Sequence, residues 1–340
     1  MTALLAVHRV DVDFRVADAD VSAVSDVSVE IAEGEIFGLV GESGCGKTTL
    51  ALALMGLLPA SADVRGSIRF QGRDLVPLSD DEMRRLRGDR ISMVLQDPMT
   101  SLDPCFSIGE QVAETIRAHR PADRREARDR AIRLLRDVGI PDAERRYADP
   151  PHRLSGGMRQ RVVIATALAN EPALMIADEP TTALDVTIQA QVLDLLRDLR
   201  RTHHTTILLI THDLGVVAQL CDRVGVMYAG QLVEVAPVET IFRAPRHPYT
   251  QALLEALPTA GQARGALRVI EGRVPDLTDP PPGCRFAPRC PHRMPECDRV
   301  PPMALEDADH AVACWLSDAT RAAAAGEGSV AETPLGGVGA

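Results

Sequence analysis

The stretch "EGEIFGLVGESGCGKTTLALALMGLL", residues 33 to 58, decides the fold. Ile36 to Val40 are apolar throughout and read as a buried strand, and the run after the loop reads as an apolar helix. Between them a glycine-rich loop fits G-x4-G-K-S/T at Gly41, Gly46, Lys47 and Thr48, with Gly44 as an extra glycine. Strand, glycine loop and helix in that order form the setting in which this pattern holds a phosphate. Glycines let backbone N–H groups close round a β-phosphate, Lys47 reaches the outer phosphates, and the Thr48 hydroxyl ligates Mg²⁺. The bland alternative is a left-handed glycine turn that joins strand to helix and binds nothing.

Working outward, "LLAVHRVDVDF" (4–14) and "AVSDVSVEI" (23–31) alternate apolar and polar residues with period two and read as strands. Downstream, "PALMIADEPTTALD" (172–185) is an apolar strand that ends in Asp178 and Glu179. Two adjacent carboxylates at a strand end suit a metal–nucleotide site, Asp178 for the Mg²⁺ shell and Glu179 for the attacking water. Without the phosphate loop they would read as a solvated turn. "TTILLITHDLG" (205–215) is a β-branched strand that delivers His212 to its end, and "VLQDP" (94–98) presents Gln96 in the same way. In an open α/β sheet the strand C-termini share one edge and ligands bind there, so His212 is expected to face the γ-phosphate. "LSGGMRQR" (154–161) puts a Ser and two Gly ahead of a helix, which is itself an anion-binding arrangement. One chain thus carries two phosphate-binding elements.

In their order, GESGCGKT, Gln96, LSGGMRQR, LMIADEP, Asp185 and His212 resemble the ATP-binding-cassette (ABC) ATPase family over roughly residues 1 to 235. The resemblance implies an α/β fold, a P-loop NTPase cassette with a RecA-like core, an antiparallel β-subdomain and an inserted helical subdomain at about 97–160. It implies ATP and Mg²⁺ as ligands. ATP contacts fall on Gly41, Ser43, Gly44, Cys45, Gly46, Lys47, Thr48, Thr49 and Gln96, with Mg²⁺ held through Thr48, Gln96 and Asp178. Glu179 and His212 are the catalytic pair, and Asp185 belongs to the D-loop. Phe14 stands where the family stacks a ring on adenine; from the residues alone, a ring packing the edge of the β-subdomain reads equally well. In this family two cassettes pack head to tail, so Ser155, Gly156 and Gly157 would serve the ATP of the partner. One P-loop, one signature and no internal repeat make this chain half of such a machine.

A narrower resemblance rests on "QDPMTSLDP", "HPYTQALL" and "GCRFAPRC", which are similar to the ATPase subunits of oligopeptide and dipeptide importers, a group that also handles nickel. Met158 resembles the D-type subunit. The resemblance implies a heterodimer with an F-type cassette, two transmembrane permeases, an external solute-binding protein, and a place on the cytoplasmic face of the cell membrane. A nickel or other non-peptide importer is the alternative within the group. A soluble ABC protein of the translation-factor or chromosome type is the alternative outside it, but that type carries two cassettes or long heptads and neither is visible. A cassette that binds without cleaving ATP is disfavoured by the intact Glu179 and His212.

The remaining composition agrees. A formal net charge of −11 argues against nucleic acid as partner. No run approaches the ~18 apolar residues that span a bilayer, and "MTALLAVHRVDVDF" lacks the marks of a signal peptide. The stretch from 108 to 140 reads as two or three helices, with Ile132, Leu134, Leu135 and Val138 on one apolar face. By resemblance it also forms the groove for a permease's coupling helix. Residues 236–317 read as an importer-type extension, Pro- and Cys-rich and poor in regular structure, and 318–340 as a disordered tail.

Four of the seven Cys cluster in that extension: Cys284, Cys290, Cys297 and Cys314. Cytosolic disulfides are disfavoured, so the thiols are free or share a metal. Their spacing fits a zinc knuckle poorly and a [4Fe–4S] cluster better, because the cluster takes one thiolate per iron. Some importer ATPases of this kind carry such a cluster. Zn²⁺, with His292 as a substitute ligand, and free thiols stay open.

Overall fold

Period-two alternation holds along the N-terminal strands except where it slips. In β1 (Ala3–Val16) the inward residues run Leu5, Val7, then Val10 and Val12. The slip at His8–Arg9 is absorbed by a bulge with Arg9 in the left-handed region, and β2 (Ala19–Ala32) answers with Asp26 in the same region. β3 (Ile36–Val40) is wholly buried and leads through the glycine loop into α1 (Lys47–Leu54). β4 (Ala62–Phe70) and β5 (Arg73–Asp74) complete a four-stranded antiparallel sheet of order β2-β1-β4-β5. The computed structural model describes residues 3–16, 19–182, 184–257 and 270–325.

The chain divides into two compact units, residues 78–210 and the remainder. The first begins with α2 (Asp80–Leu86), whose Ser79 and Glu82 form a reciprocal capping box. Next come β6 (Ile91–Val94), α3 (Pro98–Ser101), α4 (Ile108–His119), α5 (Arg124–Asp137), α6 (Ala143–Arg146) and α7 (Gly156–Ala167). β7 (Leu174–Asp178), α8 (Val186–His203) and β8 (Thr206–Thr211) close it, with β8 ending at the division between the units. β6, β7 and β8 are parallel neighbours, and β7 and β8 are buried at every position, as strands covered on both faces must be. The apolar face of α5 is as the sequence has it: Ile132, Leu134, Leu135 and Val138 are all buried.

After His212 the chain returns to the other unit with α9 (Leu214–Leu220), β9 (Arg223–Tyr228) and β10 (Gln231–Pro237). β9 lies parallel to β3, and a two-residue turn with both Ala229 and Gly230 at positive φ folds β10 back on it. α10 (Val238–Arg243) and α11 (Pro248–Glu255) follow. Beyond Ile270 the extension departs from the expectation of little regular structure. β11 (Ala304–Asp307) and β12 (His310–Val312) pair with each other, and β12 pairs with β10 at Glu234 and Val235. Strand pairing therefore crosses the boundary expected at 235/236, and cassette strands and extension share one unit. α12 (Asp318–Ala324) corrects the expected disordered tail at its start, where Thr320 is buried and bonds the Val312 carbonyl. The rest of that tail, 326–340, lies outside the described residues.

Candidate functional site

The glycine loop is shaped by close backbone approach as well as by φ. A Cβ on Gly41 would stand 2.1 Å from the Met227 carbonyl oxygen, and one on Gly46 2.4 Å from that of Ala23. Gly44 has open space around it and needs glycine only for its φ of 77°. Gly46 is also the N-cap of α1 and brings no capping side chain, so the helix meets the loop through backbone N–H groups. Lys47 is 5% exposed, and its Nζ donates to the carbonyls of Gly41 (2.8 Å) and Glu42 (3.0 Å), which aims the ammonium into the loop. Ser43, Gly44 and Thr48 face solvent and Thr49 is half-buried. Cys45 is buried, its thiol pushed up by burial, and its Sγ accepts from Lys47 Nζ at 3.6 Å. Phe14, in the same unit, is half-buried on β1.

In the other unit β7 delivers Asp178, which is buried, and then Glu179 in the left-handed region at φ 47°. The Glu179 carboxylate accepts from the Thr182 hydroxyl (2.8 Å) and the Gln96 amide (3.2 Å), so the strand-end residues Gln96 and Glu179 do meet. Ser155 caps α7 by accepting from the Met158 N–H, and Asp185 caps α8 by accepting from the Ile188 N–H. The three signature residues separate by environment. Ser155 and Gly156 are exposed, whereas Gly157 is buried and a Cβ there would stand 2.4 Å from Ile188 Cγ2. His212 is exposed, between the end of β8 and the Asp213 cap of α9.

The sequence reading missed the residues that surround Glu42. Arg289 donates through both terminal nitrogens to the two Glu42 carboxylate oxygens, at 2.8 and 3.2 Å, and also to the Tyr228 hydroxyl. The Tyr249 hydroxyl accepts the Glu42 N–H at 3.0 Å. Arg289 and Tyr249 lie in "GCRFAPRC" and "HPYTQALL". The signal was composition: in a chain with three tyrosines, two pack together here with ring centroids 4.6 Å apart.

The four extension cysteines converge. Cys284, Cys290, Cys297 and Cys314 line one narrow cavity with His247, His292 and Trp315. Burial pushes the thiols of Cys284 and Cys314 up to about 11, so both are protonated and unreactive as free groups near neutrality. The donor set fits a thiolate-ligated group in type and number. Among the described residues, however, no set of three or more His, Cys, Asp or Glu is placed to hold a single metal ion. The space they line is small, about 10 Å³. A larger cavity of about 770 Å³ lies between the β1–β2 bulge, β10 and the extension, and none of the phosphate-loop residues lines it.

These parts define the class, an ATPase of the ABC type. The chain matches the ABC transporter family over residues 24–182 and the oligopeptide/dipeptide transporter C-terminal region over 233–297. It is 50% identical to the dipeptide transport ATP-binding protein DppD of Bacillus subtilis, over 94% of this chain and 96% of that one. It is 46% identical to the oligopeptide transport ATP-binding protein OppD of Salmonella typhimurium, over 92% and 93% of the two chains. A solved dimeric cassette, MJ0796 in a post-hydrolysis state with ADP and Pi, superposes with a TM-score of 0.62 at 29% identity, covering 69% of this chain and 98% of that one. The chain belongs to the ATP-binding subunits of the oligopeptide/dipeptide branch of ABC transporters.

Proposed function

We propose that this ATPase powers the uptake of short peptides as one of two different cassettes beneath a pair of permeases, fed by an external binding protein. The observation that carries the reading is the pairing of a cassette with the importer-type C-terminal region in relatives similar along nearly the whole chain. Among the described residues no helix is long and apolar enough to cross a membrane, so the membrane path falls to other subunits and this one docks on the cytoplasmic face. Val186, 83% exposed beside Asp185, and the exposed Ser155 and Gly156 are surfaces that suit a second cassette.

In the proposed division of labour, Lys47 and the loop amides bind the phosphates of ATP. Thr48, Asp178 and Gln96 hold Mg²⁺, which neutralises phosphate charge when bound. Glu179 orients the attacking water, held in place by Thr182 and Gln96, and His212 contacts the γ-phosphate. Ser155 and Gly156 close on the partner's nucleotide, and the partner is an F-type cassette. The four extension cysteines hold a [4Fe–4S] cluster with a structural role, a reading supported by four thiols on one cavity.

The test is purification of the assembled complex from membranes. Partners are identified by mass spectrometry, and ATPase activity is followed with the binding protein loaded with peptide, loaded with Ni²⁺, or empty. Stimulation by the peptide-loaded protein alone is the expected result. Stimulation by Ni²⁺ instead, or recovery of the chain without permeases, overturns the assignment.

A further inference from the structure

We infer that the C-terminal segment positions the P-loop: Arg289 and Tyr249 hold Glu42, and ATP affinity at this chain's own loop depends on that hold. Glu42 follows the first glycine of the loop and is gripped at both ends. Its N–H goes to the Tyr249 hydroxyl and its carboxylate to the fork of Arg289. Its carbonyl in turn accepts from Lys47 Nζ at 3.0 Å and from the Cys45 N–H at 3.3 Å. The contacts therefore run from the extension through Glu42 to the lysine that meets the phosphates.

The grip is built rather than incidental. The Arg289 side chain is 5% exposed, and its remaining hydrogen bonds go to the Glu271 and Ile270 carbonyls (2.9 and 3.1 Å) and to the Tyr228 hydroxyl. A buried guanidinium with two-point geometry fixes a carboxylate in direction as well as distance, which an ammonium does not. The second arginine of the same motif supports the other side of the loop. Arg285 donates to the Ser22 carbonyl and hydroxyl and to the Ala229 carbonyl, beside the turn whose Gly230 N–H donates to the Cys45 carbonyl at 2.9 Å. Arg289 ends the 3-10 turn Ala287–Arg289 and Arg285 stands two residues before it, both between Cys284 and Cys290, so one short segment reaches both sides of the phosphate loop.

Neither Arg289 nor Tyr249 touches a phosphate; they are positioning residues. A phosphate cradle binds well when its amides already point inward, because the ordering cost is met before the ligand arrives. Once ATP is bound, the phosphates themselves hold the loop. Loss of the grip should therefore raise the KM for ATP and leave kcat nearly unchanged. The inference rests on these contacts alone and holds whatever the cysteines bind.

The experiment measures ATP affinity of the full-length chain and steady-state ATPase of the assembled importer. Arg289→Gln is expected to raise the ATP Kd and the KM roughly tenfold, with kcat within about twofold of wild type. Arg289→Lys, which keeps charge without the fork, should fall between. Glu42→Gln should match Arg289→Gln, and the double variant should be little worse than either, the signature of a pair that acts together. Tyr249→Phe, which removes only the hydroxyl, should raise Kd about threefold and serves if Arg289→Gln fails to fold. Kd within twofold of wild type in Glu42→Gln and Tyr249→Phe, a fall in kcat at unchanged KM, or additive effects in the double variant would each overturn the inference.

Discussion

Glu179 and Gly157 show how far single residues could be read. Adjacent carboxylates at the end of an apolar strand single out Asp178 and Glu179 as candidates for the metal–water site without help from structure. The left-handed backbone of Glu179 and its bonds to Thr182 and Gln96 are tertiary facts that no local pattern carries. Glu179→Gln keeps the shape and removes the charge. In the assembled complex we expect ATP binding to survive and turnover to fall by roughly a hundredfold or more; wild-type turnover would remove Glu179 from its role. The signature reads as one phosphate-binding unit in the sequence but splits in the fold. Ile188 lies where a Gly157 side chain would go. Gly157→Ala should therefore destabilise the chain by on the order of 2 kcal/mol through overpacking. Gly156→Ala, facing open space, should change the thermal midpoint far less, and equal midpoints for the two variants would contradict this packing.

Among the elements, β12 and the start of α11 meet at one buried carboxylate. Glu234 accepts from His310 Nε2 (2.7 Å) and from the N–H groups of Arg246 (2.7 Å) and His247 (3.0 Å). Burial pushes the Glu234 carboxyl up, but these hydrogen bonds outweigh it and hold the group below the ordinary value. His247, fully buried, is pushed down to about 4 by burial and caps α11 as a neutral ring. As pH falls below about 6.5, an unfolded His247 gains a proton that the folded one refuses until about pH 4, so stability is lost across that window. Glu234 acts in the same direction: its contribution is present above about pH 4.5 and is lost as pH falls through its lower folded value. The lone tryptophan, Trp315, is buried in the extension and reports on it. Denaturation followed by Trp315 fluorescence should show about 2 kcal/mol less stability at pH 5 than at pH 7.5, and His247→Asn, which keeps a cap, should flatten that difference. An unchanged profile in the variant would exclude His247 as the source. Strands of four and three residues such as β11 and β12 are too short for period two to register, so this junction was closed to sequence reading.

At the scale of the whole molecule, motif order was the legible part. The sequence carries no register by which a C-terminal segment joins a strand made much earlier, so the pairing of β12 with β10 across 235/236 was not legible in it. The exposed signature residues belong, on the proposed reading, to a site completed by another subunit. Gly156→Asp should leave ATP binding by the full chain intact while suppressing hydrolysis at the partner's nucleotide; loss of the chain's own binding would place the signature in cis. On the proposed cluster reading, anaerobically purified protein should be brown and contain about four irons per chain, and removal of the iron should shift Trp315 emission, since Trp315 lines the cysteine cavity. Colourless, iron-free protein with a native Trp315 spectrum would eliminate the cluster. The link between Arg289 and Glu42 also has a bearing on biosynthesis. The two residues are 247 apart in the chain, so a ribosome that has finished the phosphate loop delivers its brace roughly ten to fifty seconds later. Until then the nascent cassette carries a complete set of phosphate-binding residues in a loop that is not yet held. On the inferred role of Arg289, high-affinity ATP capture would wait until translation has passed that residue, and a chain cut short before it would lack the brace.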